Sequence, residues 1–121
     1  MTTKTKVEIL EGTLDLLNSP ERWAKGVLHC GTPNTGEAWC LIGAINQVAF
    51  GIWTWVSNTT PEYGELVSLL DAMAKERGYL TSYTCPANGI VYFNNAPETE
   101  YEDVRLFLKE ALERVRSELD E

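Results

Sequence analysis

The sequence predicts an α+β fold: a mostly helical single domain of about four helices with a small two- or three-stranded sheet. Three observations predict it. Apolar residues recur at three- and four-residue spacing in separate stretches, the period of one face of a helix. Between them lie two short runs, Val27–Cys30 and Ile90–Phe93, of the branched and aromatic residues that suit strands. A chain of 121 residues can bury one core without disulfides or metal, and neither a repeat nor a linker divides it. The domain is expected to cover residues 1–121, with 1–5 and 117–121 frayed.

The first helix is predicted from Thr5 to Asn18, where Val7, Leu10, Leu14 and Leu17 make one stripe and Ser19-Pro20 ends it. Gly12 weakens it by roughly 1 kcal/mol relative to alanine. Trp23–Cys30 reads as a turn and then a short strand, and Gly31–Gly36 as a loop. The second helix is predicted from Glu37 to Phe50. Trp39, Leu41, Ile42, Ala44, Ile45, Val48 and Ala49 cover almost its whole circumference, as befits a helix in the middle of a core. Small Gly43, Ala44 and Ala49 allow close approach, and Gly51 is a natural stop. Ile52–Val56 reads as a short strand or an apolar loop. Thr60 is a good N-cap with Pro61 behind it, and Tyr63, Leu66, Leu69, Leu70 and Met73 form the third helix up to Gly78. Asn88-Gly89 reads as a turn leading into the strand Ile90–Phe93. The last helix opens on a capping box, Thr99-x-x-Glu102, and buries Val104, Phe107, Leu108, Ala111, Val115 and Leu119.

Apolar residues make up 44% of the chain and charged residues 23%, the globular range. No apolar stretch long enough for a signal peptide follows the lysines near the N-terminus, so none is expected. Leu41–Val56 is interrupted by Asn46, Gln47, Gly51 and Thr54 and falls short of the roughly 20 residues that span a bilayer. Three cysteines, Cys30, Cys40 and Cys85, at irregular spacing suit a reducing compartment, and a cytoplasmic location is expected. A net charge of −8 argues against binding a nucleic-acid backbone. Nine acids against four bases from Glu98 to Glu121 leave room for a basic partner or mimicry of a nucleic acid. No phosphate-binding glycine loop occurs, and no cofactor is expected.

Cys40, near a predicted helix N-terminus where the dipole favours a thiolate, is a candidate nucleophile, with His29 and Asn94 or Asn95 as imaginable partners. Against this, cysteine is among the most buried residue types, and Trp39-Cys40-Leu41-Ile42 has the composition of core. His29, Cys30, Cys40 and Cys85 are the right ligand types for zinc, but lack the paired spacing of a structural site. Asn94-Asn95 could bind a ligand, or close a turn that positions the next helix. Trp53 and Trp55, with Tyr63 beyond them, are candidate partner contacts because exposed aromatics dominate interfaces; the structural alternative packs both tryptophans under the loop.

Cys40-Leu41-Ile42-Gly43-Ala44 and, later, Phe93-Asn94-Asn95 followed by Thr99 and Val104 resemble a family of small uncharacterised proteins of actinobacteria and their bacteriophages. That family carries C-x-x-G-A at a helix start and a W-N-D-like segment before a Thr- or Ser-capped helix. Phe93 and Asn95 depart from its Trp and Asp, and Trp53–Trp55 looks like an addition. The resemblance implies a setting, the cytoplasm of an actinobacterial host, and no reaction. The expected function is a non-enzymatic binding protein acting on a host protein, with self-association left open. The alternatives are a hydrolase or transferase using Cys40, and an acidic nucleic-acid mimic.

Overall fold

Helix α1, Lys6–Leu16, begins at a reciprocal cap: the Thr5 hydroxyl accepts the Glu8 N–H, and the Glu8 carboxylate accepts the Thr5 N–H. A computed structural model of the protein describes residues 4–32, 36–52, 60–79 and 88–119. Along α1, Ile9, Leu10 and Thr13 are buried, and the Thr13 hydroxyl donates to the Ile9 carbonyl at 2.7 Å. Gly12, which costs helix propensity, has a packing reason. A Cβ there would lie 2.6 Å from Cγ1 of Val48.

After a 3₁₀ turn at Pro20–Arg22, the chain doubles back on itself as strands β1, His29–Thr32, and β2, Gly36–Trp39. They pair antiparallel with His29 opposite Trp39 and Thr32 opposite Gly36. The expected sheet between Val27–Cys30 and Ile90–Phe93 is therefore replaced by a local hairpin. Gly36, with φ of 93°, takes a conformation suited to glycine and opens β2. Residues 37–39 are thus strand, not the first turn of the second helix.

That helix, α2, Leu41–Phe50, starts instead with Cys40 as its cap and ends where expected, at Gly51 in the left-handed region. Leu41, Ile42, Ala44 and Ile45 are fully buried, and α2 packs against α1, β2 and α4. Helix α3, Pro61–Glu76, has the predicted Thr60 cap, whose hydroxyl accepts the Tyr63 N–H at 3.3 Å.

Ile90–Phe93 belongs to helix α4, Asn88–Asn95, and Asn88-Gly89 opens that helix rather than a turn. Two physical reasons overturn the strand. Ile90, Phe93 and Asn94 are buried while Tyr92 faces out, the three- and four-residue spacing of a helix face. Asp71 on α3 also accepts the Gly89 N–H at 2.8 Å, so a distant carboxylate supplies the cap that the local sequence lacks. Burial pushes the Asp71 carboxyl up, against the pull of its bonds from Gly89 and Ile90.

Helix α5, Tyr101–Leu119, starts later than the predicted box. Thr99 turns inward, and the Asp103 carboxylate accepts the Glu100 N–H at 2.8 Å instead. Five helices and one two-stranded sheet are present among the described residues, in keeping with a mostly helical α+β fold. No helix among them is long and apolar enough to cross a membrane.

Gly43 marks the tightest contact around α2. A Cβ there would lie 2.1 Å from the Leu28 carbonyl oxygen, and that backbone cannot step aside. Gly43→Ala should therefore lower stability in urea unfolding by about 3 kcal/mol. Gly64→Ala, on an open face of α3 with nothing within 4 Å, should be neutral or gain up to about 1 kcal/mol.

Candidate functional site

Three segments remote in sequence meet at Asn94, in the last turn of α4 and 1% exposed. Its Oδ1 accepts the Trp23 indole N–H at 2.7 Å and the Leu41 N–H at 2.9 Å. Its Nδ2 donates to the Ala24 carbonyl at 3.0 Å and to Asn95 Oδ1 at 2.9 Å. Two acceptor sites and two donors are the full capacity of a carboxamide, and all four are used. Asn95 extends the network, its Oδ1 also accepting the Gly26 N–H at 2.8 Å.

The same segment is strapped down along its length. Lys25 donates to the Ala96 carbonyl at 2.8 Å and lies over the Trp23 ring. Ala24 N–H reaches the Trp39 carbonyl, and the Leu28 carbonyl accepts the Cys40 N–H. Asn94 therefore fixes the segment from Trp23 to Leu28 against both the start of α2 and the end of α4. The N-terminus of α2 has orphan donors; Asn94 satisfies Leu41, and the Cys40 sulfur accepts the Gly43 N–H at 3.3 Å.

Between these elements lies an apolar cleft of about 190 Å³. Gly26, Val27 and Leu28 form one side, Val91 and Asn95 the other, and Cys40 lines it too. The Asn95 carboxamide nitrogen has no partner among the described residues and can donate at the rim.

The structure brings two of the candidate catalytic residues, Cys40 and Asn94, to this cleft, while His29 is not among the residues lining it. His29 Nε2 sits 2.7 Å from Glu37 Oε2 on the hairpin, its ring 5.4 Å from that of Trp39. Burial pushes the Cys40 thiol up, away from the thiolate form that nucleophilic attack requires. Among the described residues no His, Cys, Asp and Glu group of three or more could hold a metal ion. Cys85, Trp53 and Trp55 lie outside the described residues.

Tyr63, expected at a partner surface, is 7% exposed. Its hydroxyl donates to Asn46 Oδ1 at 2.5 Å, and its ring packs 4.8 Å from that of Phe50. The first turn of α3 docks on the end of α2, which draws this side chain inward.

Sequence reasoning missed Trp23 as a site residue and placed Asn94 in a local turn. A tryptophan after a proline-led turn was the available signal, but its indole partner lies 71 residues away.

The geometry defines a class: a small helical α+β domain that holds an apolar cleft on a saturated carboxamide network. Residues 1–114 match the Family of unknown function (DUF6197), and the chain belongs to that family. No curated protein and no solved structure shows a significant match.

Burial pushes the Tyr63 hydroxyl up from its ordinary 10 to about 12. A folded value above the unfolded one means that the neutral phenol favours the fold. That contribution is complete below the unfolded value of 10.0 and is lost as pH rises through about 12. Circular dichroism in alkaline titration should show Tyr63→Phe unfolding at higher pH than the parent. At neutral pH the variant should be less stable by about 1 kcal/mol, for the lost hydrogen bond.

Proposed function

We propose that this protein is a non-enzymatic binding protein that acts by contact with another protein, through the surface around the Val27–Val91 cleft. One observation carries the reading. Val27 and Tyr92 are 48% and 49% exposed; Val27 lines the cleft, and Tyr92 follows Val91, which lines it from the other side. Large apolar side chains beside a concave apolar surface, with an amide donor at the rim, are what an interface core requires. The network at Asn94 holds the surface in place before a partner arrives, which lowers the ordering cost of binding.

The commitments of the candidate catalytic residues support binding over a Cys40-dependent reaction. Cys40 caps α2, Asn94 has spent its hydrogen bonds, and His29 is engaged by Glu37. The acidic surface of α5 is interleaved with cations: Glu102 pairs with Arg105, Glu110 with Arg114, and Glu118 with Lys6. Such a face is closer to a solvated helix than to the unbroken charge of a nucleic-acid mimic. The resemblance in sequence to proteins of actinobacteria and their phages supports a host cytoplasmic protein as the partner.

Tyr92→Ala should weaken binding of a partner recovered from an actinobacterial lysate by about tenfold or more, equivalent to about 1.4 kcal/mol. Its melting temperature should stay close to that of the parent, because Tyr92 contributes little to the core. Leu106→Ala, an exposed residue on α5, should bind as the parent does. Unchanged binding by both Tyr92→Ala and Val27→Ser would refute this contact surface.

A further inference from the structure

A second pocket, of about 350 Å³, lies between the end of α3 and the start of α5, and its chemistry differs from that of the cleft. Tyr79, Phe93 and Leu106 give it apolar walls, and Arg77, Glu98 and Asp103 bring charge of both signs. Arg77 spreads over the Phe107 and Phe93 rings, 5.0 and 5.9 Å from their centroids. It is ion-paired with Glu110, 3.6 Å away and beyond hydrogen-bond distance. Among the described residues the guanidinium makes no hydrogen bond, and its donors other than the Nη1 facing Glu110 remain available.

The carboxylates are equally under-used. Glu98 accepts the Tyr79 hydroxyl at 2.9 Å, and Asp103 accepts the Glu100 N–H through one oxygen. An ionised carboxylate has about four acceptor sites, so both keep capacity. Glu98's own backbone N–H and the Tyr79 hydroxyl hold it below the usual carboxylate range, so it is charged at neutral pH. Thr99, in the pocket wall and 3% exposed, has a hydroxyl without a hydrogen-bond partner among the described residues. A buried orphan hydroxyl costs stability unless something else completes it.

Opposite charges in one small pocket discriminate between ligands. A simple anion would meet Glu98 and Asp103, and a simple cation would meet Arg77. A molecule carrying both charges satisfies all three. We propose that this pocket binds a small zwitterion of the α-amino-acid type: carboxylate on Arg77, ammonium on Glu98 and Asp103, and an apolar side chain against Tyr79, Phe93 and Leu106. A volume of about 350 Å³ is at the small-ligand end of the roughly 300–1,000 Å³ typical of ligand sites. This site is independent of the protein contact at the cleft.

The test is a titration of ¹⁵N-labelled protein with L-leucine and L-phenylalanine at millimolar concentration, following the amides of Thr99, Asp103 and Leu106. At least one amino acid should give saturable shifts confined to this pocket. N-acetyl-L-leucine, which lacks the ammonium, and L-leucinamide, which lacks the carboxylate, should each bind about tenfold more weakly or not at all. Glu98→Gln, at an exposed position that leaves the core intact, should weaken the amino acid by a similar factor, whereas Tyr92→Ala should not. No shift with either amino acid, or equal binding of a blocked derivative, overturns the proposal without bearing on the cleft.

Discussion

The carboxamide of Asn94 is the constraint on which the rest of the structure depends. It is buried, and its four hydrogen bonds run to a tryptophan ring, a helix N-terminus, a strap carbonyl and a neighbouring asparagine. Each such bond adds only about 1 kcal/mol net, but leaving a buried partner unsatisfied costs about 1–3 kcal/mol. Removing Asn94 would orphan the Trp23 indole, the Leu41 N–H and the Ala24 carbonyl together. No single apolar side chain can replace a group that donates and accepts at once.

Several features follow from that junction. With the segment from Trp23 to Leu28 drawn against α2, the Leu28 carbonyl lies where a Cβ of residue 43 would stand, so Gly43 has to be glycine. Cys40 becomes the cap of α2, and burial keeps its thiol protonated. The apolar cleft lies between this segment, the start of α2 and α4. The group that made a catalytic reading attractive in sequence is thus part of the scaffold, and the recognition proposed above lies at the cleft's exposed rim.

Much of the helical frame was legible in the sequence because its determinants are local. Thr5, Thr60 and Gly51 cap or stop helices within a few residues of where they act, and the apolar stripes of α1 and α3 are continuous. The failures share one cause, which is long-range partners. Ile90–Phe93 has strand composition, yet Asp71 caps it as a helix from 18 residues away. Glu37–Trp39 has helical neighbours, yet pairs with His29–Gly31 across the hairpin. Thr99-x-x-Glu102 has the capping pattern, but tertiary packing pulls the Thr99 hydroxyl inward and Asp103 caps α5 in its place. For the candidate site, Cys40, Asn94 and Asn95 were visible as residues worth weighing, while Trp23 and Val27 were not. A carboxamide bridging 71 residues leaves no trace in local spacing.

The central claim is tested most directly by the unfolding free energy of Asn94→Ala, measured by urea denaturation beside the parent protein. A structure organised on this carboxamide should lose about 3–5 kcal/mol, or fail to fold, because one buried and two half-buried partners lose satisfaction at once. A loss under about 1 kcal/mol, typical of a substitution without buried consequences, would contradict it.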